Sequence, residues 1–386
     1  MNRSTLILLA LGAAHSLNHS LFLVLPPLLS DISRDLGASL QSMGLVSTLA
    51  FMLYGAGALI GGPLSDRLGG VRVSMLSLAL SGGSALLFLL ARDLLTFGVG
   101  LTLMAFWASF YHPTSNNLIS SLFTERTAEA MGIHGAAGSI GQILTPTAAY
   151  MIGVFLDWRL AYAIFGALSI LSALTLKWIP EGDDGIKINE AFQPLRLFEA
   201  PNLWILLLYN VLVGLFYRGV ELFFPTFLSS NRGFSGGLAA FSTSLILLFG
   251  VLGQYLGGRG ADRYGSEHII FISSIGVLAG MLILLLSPMN IAGVMSFIIL
   301  FGAGYYSHQP AMTSLMGLVS PRELRGTAYG IMFFFTFGLG SVSTTIVGYL
   351  GERYNLELAF WFMTLIATIT LATSLAILRI RKGDRS

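Results

Sequence analysis

Two charged side chains, Arg218 and Glu221, stand inside a long apolar stretch of this chain. Their spacing of three residues places them on one face of a helix, about one turn apart. A guanidinium group can hold an anionic or polar group, and a carboxyl group can take up and release a proton. We therefore predict that Arg218 binds a ligand and that Glu221 carries a proton. The alternative is a self-neutralising pair that only holds its helix in place.

Histidine is the other residue type that can do chemistry here, because its charge changes near neutral pH. His15 and His19 are four residues apart on one helical face, with Asn18 beside them. We predict that these three side chains bind a ligand and that His19 also carries a proton. Hydrogen bonding between helices is the alternative. The same spacing also resembles a pair of ligands for a transition metal.

A second pair of histidines, His112 and His308, lies just before two prolines. We predict that both contact the ligand and that His112 also carries a proton. In the alternative, they satisfy backbone carbonyls that the prolines leave without a donor. Aromatic residues flank these positions, and we predict that Tyr217 and Tyr306 line the same site.

The composition places the chain in a membrane. Hydrophobic residues make up 54% of the sequence, charged residues make up 10%, and the mean hydropathy is +0.77. A soluble domain carries about 25% charged residues, so this chain cannot cover a water-facing surface of its size. The net charge of +2 does not suggest nucleic acid, and the absence of cysteine excludes disulfides. We predict a lipid bilayer and a small molecule as partners, and no cofactor.

A spanning helix needs roughly 20 mainly apolar residues. The sequence contains twelve such segments: 5–29, 42–62, 73–91, 95–122, 129–155, 158–179, 202–228, 237–257, 268–287, 290–318, 325–350 and 357–379. The charged stretch 180–200 separates the sixth from the seventh. We predict an all-α membrane protein with an N-terminal six-helix half (1–179), a cytoplasmic linker (180–200) and a C-terminal six-helix half (201–386).

The lysines and arginines predict the orientation. An even number of spans puts both termini on one side, and fifteen basic residues lie on that side against five on the other. Basic residues are enriched in cytoplasmic loops. Both termini and the linker are therefore predicted to be cytoplasmic, in a cell inner membrane.

A short motif, Gly-x3-Asp-Arg-x-Gly, appears twice, at 62–69 and at 258–265. The two Asp-Arg pairs, Asp66-Arg67 and Asp262-Arg263, lie 196 residues apart, and each fills a short polar gap between two spans. Further matches occur at nearly the same offset, such as Ala161 with Ala359. Repetition at about half the chain length indicates two similar halves joined end to end.

The loop motif, with Gly62 and Arg72 beside Asp66 and Arg67, resembles the Gly-x3-Asp-Arg-x-Gly-x-Arg pattern of the major facilitator superfamily. The resemblance covers the whole chain and implies two pseudo-symmetric six-helix halves. It also implies that the loop residues gate the conformational change. The implied gating residues are Asp66, Arg67, Arg72, Asp262 and Arg263.

More narrowly, His15, the element Tyr111-His112-Pro113 and the stretch 130–135 resemble the fosmidomycin-resistance group of drug exporters. This implies a secondary transporter that works by alternating access and exports a small organic compound in a proton-coupled cycle. No ATP-binding loop of the Gly-x4-Gly-Lys-Ser/Thr type is present, so the energy must come from an ion gradient.

Three alternatives stay open. The first is proton-coupled symport of an organic anion by way of Arg218. The second is export of a divalent metal cation, suggested by His15 and His19, although we assign no metal site. The third is a membrane receptor that does not transport. We predict no enzymatic activity and a monomeric protein.

Overall fold

The chain folds almost wholly into helices in a computed structural model that describes residues 3–123, 127–180, 199, 201–287, 290–320 and 325–380. In chain order the helices are α1 (Arg3–Leu23), α2 (Leu25–Asp35), α3 (Leu40–Leu68), α4 (Gly70–Leu86), α5 (Leu94–Ala108), α6 (Tyr111–Leu122), α7 (Thr127–Phe155), α8 (Trp158–Leu176), α9 (Pro201–Asn231), α10 (Gly236–Tyr264), α11 (Ser266–Leu286), α12 (Ile291–Val319), α13 (Arg325–Phe333), α14 (Val342–Arg353) and α15 (Leu356–Ile377). A π-helical segment, Phe334–Gly338, and a 3₁₀ turn, Leu339–Ser341, join α13 to α14.

Within the described ranges, eleven helical segments are long and apolar enough to cross a membrane. They are Arg3–Asp35, Leu40–Ser65, Gly70–Leu90, Leu94–Leu122, Trp158–Leu176, Asn202–Asn231, Gly236–Tyr264, Ser266–Leu286, Ile291–Val319, Thr327–Arg353 and Leu356–Ile377. The remaining predicted span is α7, a 29-residue helix that packs between α1 and α10. Polar residues such as Gln142 and Thr145, together with its glycines, lower its hydropathy.

The described residues form twelve helical spans, six before and six after the predicted linker, and the predicted fold class is confirmed. Most of the predicted linker lies outside the described residues, so the boundaries 1–179, 180–200 and 201–386 stay predictions. Several spans are longer than predicted. The first one, for example, continues through α2 to Asp35 instead of ending at residue 29.

The internal repeat is visible in the backbone. Among the residues that the structure describes, four glycines have positive φ angles: Gly37 (59°), Gly69 (90°), Gly233 (70°) and Gly265 (98°). They form two pairs, each 196 residues apart, at the ends of corresponding spans. Only glycine adopts this conformation without a steric cost. The last glycine of each loop motif is therefore required by the sharp turn between two spans.

Polar side chains set the start of several spans on the face away from the loop motif. The carboxylate of Asp157 accepts from the backbone N–H of Arg159 (2.7 Å), and the amide oxygen of Asn355 accepts from that of Leu358 (2.8 Å). At the start of α5, the backbone N–H and hydroxyl of Thr96 donate to Asp93. These hydrogen bonds hold the pKa of Asp93 below its usual value. Each cap supplies a partner for an otherwise unpaired N–H at a helix start.

We call the end of the bundle that carries the Asp-Arg turns the motif face, and the other end the opposite face. The two halves are joined toward the opposite face. The hydroxyl of Thr48 on α3 lies 2.8 Å from that of Thr344 on α14, and the hydroxyl of Thr344 donates to the carbonyl of Gly44 (2.8 Å). Ser30 and Thr226 are also hydrogen-bonded there (3.2 Å). These hydrogen bonds connect the first half to the second at this end of the bundle.

Candidate binding site

The site is centred on Arg218, in the middle of the long helix α9. Its guanidinium carbon lies 4.3 Å from the ring centroid of Phe51 and 4.3 Å from that of Phe337. Phe51 comes from α3 in the first half, and Phe337 comes from the π-helical segment in the second half. Cation–π contacts are worth about 0.5–2 kcal/mol each, and more when water is excluded. Arg218, whose side chain is 5% exposed, is thus held where the two halves meet.

Each carboxylate oxygen of Glu221 has a hydrogen-bond partner. One carboxylate oxygen accepts from Nη1 of Arg218, and the other accepts from the hydroxyl of Tyr217 (3.1 Å). The Tyr217 hydroxyl also lies 3.0 Å from that of Tyr306 on α12. The carboxylate keeps 16% side-chain exposure, which is more than Arg218 has.

On the first half, four histidines form a cluster: His15, His19, His112 and His134. The ring of His15 stacks on that of His134 with centroids 4.2 Å apart. The rings of His19 and His112 lie 4.8 Å and 5.0 Å from His15. His15 and His134 are buried, whereas His19 and His112 are partly exposed.

The hydrogen bonds of the cluster determine where its protons lie. Nδ1 of His15 is 2.8 Å from the backbone carbonyl of His134, and a carbonyl can only accept. Nδ1 of His15 therefore carries the proton. In a neutral His15 ring, Nε2 is then an acceptor, and it receives the Nε2–H of His19 at 3.0 Å.

The histidine cluster and the Arg218–Glu221 pair belong to one central region. Phe22 on α1 lies one turn beyond His19, and its ring packs against Phe51 at 5.5 Å, next to the guanidinium group. Arg218 is close enough to His19 to interact with it electrostatically. The structure thus brings together seven of the predicted ligand-binding and proton-carrying residues. They are His15, His19, His112, Tyr217, Arg218, Glu221 and Tyr306.

Two predicted residues lie elsewhere. Asn18 is fully buried, and its amide donates to the backbone carbonyl of Ala108 (3.0 Å), so it joins the first span to the fourth. His308 is buried within the second half, where its Nδ1–H donates to the carbonyl of Tyr305. It lines a small cavity beside Tyr209 and Ser274 instead of meeting His112.

The predicted gating residues lie at the motif face. Arg67, Arg72, Asp262 and Arg263 are exposed, and none of them pairs with an oppositely charged residue that the structure describes. The side chain of Asp66 lies outside the described residues. The gating role of all five stays a prediction.

Three aromatic residues around the charged pair were not among the predicted site residues. Phe51 and Phe337 hold Arg218, and Tyr54 packs edge-on against Phe22 at 4.8 Å. An aromatic residue in a membrane span looks the same in the sequence whether it faces lipid or a binding site. No sequence signal could have selected these three.

Comparisons with known proteins show what this chain is similar to. The family description "Major Facilitator Superfamily" matches residues 8–345. The D-galactonate transporter of Escherichia coli O6:H1 is 26% identical over 389 residues, covering 88% of this chain and 87% of that protein. The fosmidomycin resistance protein of Escherichia coli K12 is 23% identical over 283 residues, covering 68% of this chain and 67% of that protein.

Among solved structures, a bacterial homologue of the human lysosomal transporter Spinster, in an inward-facing and unoccupied conformation, superposes with a TM-score of 0.84. Its sequence is 16% identical, and the match covers 100% of this chain and 99% of that one. At this identity the likeness concerns the fold alone.

Proposed function

The chain belongs to the Major Facilitator Superfamily and is a secondary membrane transporter, and we propose that it carries a small organic anion together with a proton. The observation that carries the proposal is the Arg218–Glu221 pair at the meeting point of the two halves. The guanidinium group of Arg218 already binds the carboxylate of Glu221, and a substrate anion can take the place of that carboxylate.

The coupling follows from the geometry of the pair. While Glu221 is ionised, its carboxylate occupies Nη1 of Arg218, and an incoming anion has to compete with it. Protonation removes the charge of Glu221 and frees one edge of the guanidinium group. The anion then binds in place of the carboxylate, and Tyr217 and Tyr306 are positioned to donate to it. Proton and anion therefore bind together more readily than either one alone.

Other charged or titratable groups around Glu221 are consistent with this exchange. Tyr54 on α3 and Tyr305 on α12 lie near enough to interact with it electrostatically, and His19 on α1 interacts in the same way with Arg218. Glu221 is the only acidic side chain in this group. A cationic substrate would need a second carboxylate, because Glu221 already has a partner.

Alternating access completes the cycle. We infer that the hydrogen bonds between the halves close the region of the pair toward the opposite face, and that rocking of the two halves closes the motif face instead. With both termini on the cytoplasmic side of a cell inner membrane, as the basic residues predict, the present state opens to the cytoplasm. The D-galactonate transporter, a relative whose named substrate is an organic anion, supports the proposed substrate class.

A second candidate is proton-coupled export of a small organic compound. The aromatic walls around Arg218 suit an amphiphilic molecule, and the fosmidomycin resistance protein is a relative by sequence. The two candidates differ in the direction in which the proton gradient drives flux.

The test uses the purified protein in proteoliposomes, with small carboxylates and matched neutral compounds such as D-galactonate and D-galactose. Thermal stabilisation selects a ligand, and its flux is then measured with and without an imposed pH gradient. We expect the anion to accumulate in vesicles that are acidic outside, and the neutral analogue to be ignored. In Glu221→Gln, we expect exchange of substrate across the membrane to persist while gradient-driven accumulation is lost.

Flux that ignores the pH gradient, or equal transport of the neutral analogue, would contradict the proposal. Accumulation in vesicles that are acidic inside would favour the export candidate. The predicted proton-carrying roles of His19 and His112 and the predicted monomeric state stay predictions.

A further inference from the structure

Three imidazole rings of the histidine cluster are arranged like the ligands of a metal ion. The ligand nitrogens of His15, His19 and His112 all lie within 4.8 Å of one another. A zinc ion binds histidine nitrogen at about 2.0–2.1 Å in a tetrahedral arrangement. Its ligand nitrogens are then about 3.3 Å apart, a figure that follows from this bond length. The nitrogen separations in the structure exceed those of a zinc site by at most about 1.5 Å.

The surroundings of His15 match those of a metal-bound histidine. Such a residue usually donates its second ring N–H to a carbonyl or a carboxylate, which fixes the tautomer and the orientation of the ring. In His15, Nδ1–H donates to the backbone carbonyl of His134 (2.8 Å). The other nitrogen, Nε2, lies 3.0 Å from Nε2 of His19. The stacked ring of His134 further restricts the motion of His15.

The ligands are held on a rigid frame. His15 and His19 are one turn apart on α1, and His112 lies in the first turn of α6. Two hydrogen bonds tie these spans together, one before and one after His15 along α1. The amide of Asn18 donates to Ala108, and the hydroxyl of Tyr111 donates to the carbonyl of Leu11 (2.8 Å). A frame of this kind keeps three ligands in place before an ion arrives.

We propose that His15, His19 and His112 form a binding site for a divalent transition-metal ion such as Zn²⁺. Imidazole nitrogen favours Zn²⁺, Ni²⁺, Co²⁺ and Cu²⁺ over Mg²⁺ and Ca²⁺, which prefer oxygen ligands. Three protein ligands leave a fourth position, which is accessible because His19 and His112 are partly exposed. A water molecule or an anion completes the coordination.

The test measures metal binding on untagged, purified protein in detergent, without any transport substrate. Zn²⁺ binding is followed by calorimetry, and Co²⁺ is used as a spectroscopic probe, because tetrahedral Co²⁺ has intense visible absorption bands. We expect one Zn²⁺ per chain and a tetrahedral Co²⁺ spectrum. His15→Gln, His19→Gln and His112→Gln should each weaken Zn²⁺ binding at least tenfold, since each removes one of three ligands.

The matched control is His268→Gln, because His268 is exposed in a separate part of the chain (59%). This variant should bind Zn²⁺ like the unmodified protein. A second variant, His134→Gln, keeps the backbone carbonyl that orients His15, so it should lose less affinity than the ligand variants. Thermal unfolding in the absence of metal identifies any variant that does not fold.

The proposal is overturned if the unmodified protein does not bind Zn²⁺, or if all three folded ligand variants bind it as tightly as the control. It is also overturned if Co²⁺ shows only the weak spectrum of an octahedral aquo ion. Because no substrate or pH gradient is involved, these results do not depend on anion transport. Conversely, a failure of the flux experiment leaves the metal site untouched.

Discussion

Arg218 contacts two aromatic rings as well as the carboxylate of Glu221. Its guanidinium carbon lies 4.3 Å from the rings of both Phe51 and Phe337, and these rings belong to different halves of the molecule. A planar guanidinium group fits between two rings, whereas the ammonium group of lysine is a compact, strongly hydrated charge. The position therefore requires arginine, and a positive charge alone does not satisfy it.

The variant Arg218→Lys tests this requirement. It keeps the positive charge but replaces the planar guanidinium group and its fork of donors with a compact, strongly hydrated ammonium group. We expect the dissociation constant of a bound anion to rise at least about tenfold, which corresponds to about 1.4 kcal/mol. Equilibrium binding by calorimetry gives the value.

Arg259→Lys is the matched control, because Arg259 is exposed and its guanidinium carbon lies 5.6 Å from the ring of Tyr255. It should not change anion affinity. If Arg218→Lys binds the anion as well as the unmodified protein, the aromatic contacts have no role in recognition.

At the scale of single elements, the π-helical segment Phe334–Gly338 places an aromatic ring on Arg218. Segments of this type interrupt the regular ladder of hydrogen bonds and occur often at functional sites. Within the segment, the hydroxyl of Thr336 donates to Asn210 on α9 (3.2 Å), while Phe337 covers the guanidinium group. The eleventh span is therefore tied to the helix that carries the charged pair.

The contact between α3 and α14 joins the two halves toward the opposite face, and it depends on glycine. A Cβ atom at Gly44 would overlap the backbone carbonyl oxygen of Thr344. We expect Gly44→Leu to separate the two helices and to shift the protein toward the state that is open on this face. The expected result is a longer distance between the ends of the two helices.

The chain contains no cysteine, so two introduced cysteines report this distance without background. Gln41→Cys and Arg353→Cys place labels on exposed sites at the ends of α3 and α14. Electron spin resonance should show a short distance in the parent protein and a longer one with Gly44→Leu. Gly83→Ala is the control, since nothing lies within 4 Å of a Cβ atom at Gly83. An unchanged distance with Gly44→Leu would refute this account of the closed face.

At the scale of the whole molecule, each half is fastened by an ion pair between its first and last spans. In the first half, Arg159 donates to Asp35 (2.6 Å); in the second half, Arg232 donates to both oxygens of Glu357 (2.7 and 2.9 Å). The two pairs occupy corresponding positions of the repeat with the charges exchanged. Each half therefore has an ion pair between its first and last spans, with the arginine on the last span in the first half and on the first span in the second half.

The bidentate pair in the second half predicts a loss of stability. Arg232 is 9% exposed, and removal of its charge leaves Glu357 without its partner. Hydrogen bonds to charged groups contribute about 1.5–3 kcal/mol, so Arg232→Met should lower the free energy of unfolding by about 2 kcal/mol. Reversible unfolding in mixed detergent micelles measures this.

Arg34→Met is the comparison, because Arg34 is 77% exposed in its pair with Asp31. Exposed pairs contribute about 0–1 kcal/mol, so this variant should change little. If both substitutions lowered the free energy of unfolding equally, burial of Arg232 would add nothing to the contribution of its ion pair.

The amino-acid sequence by itself determined the membrane class, the two similar halves and the spacing of the charged pair. A bilayer requires apolar segments of about 20 residues, so their number is readable without a structure. The repeated Asp-Arg motif indicated the duplication, and helical spacing placed Arg218 and Glu221 on one face.

Only the tertiary structure decided which helix faces meet. The spacing of side chains along a helix determines which of them share a face, but not how that helix is rotated against its neighbours. That rotation follows from packing between spans, at close approaches such as Gly44 against Thr344. For this reason His112 joins His15 in one cluster, whereas Asn18 and His308 turn away into their own halves.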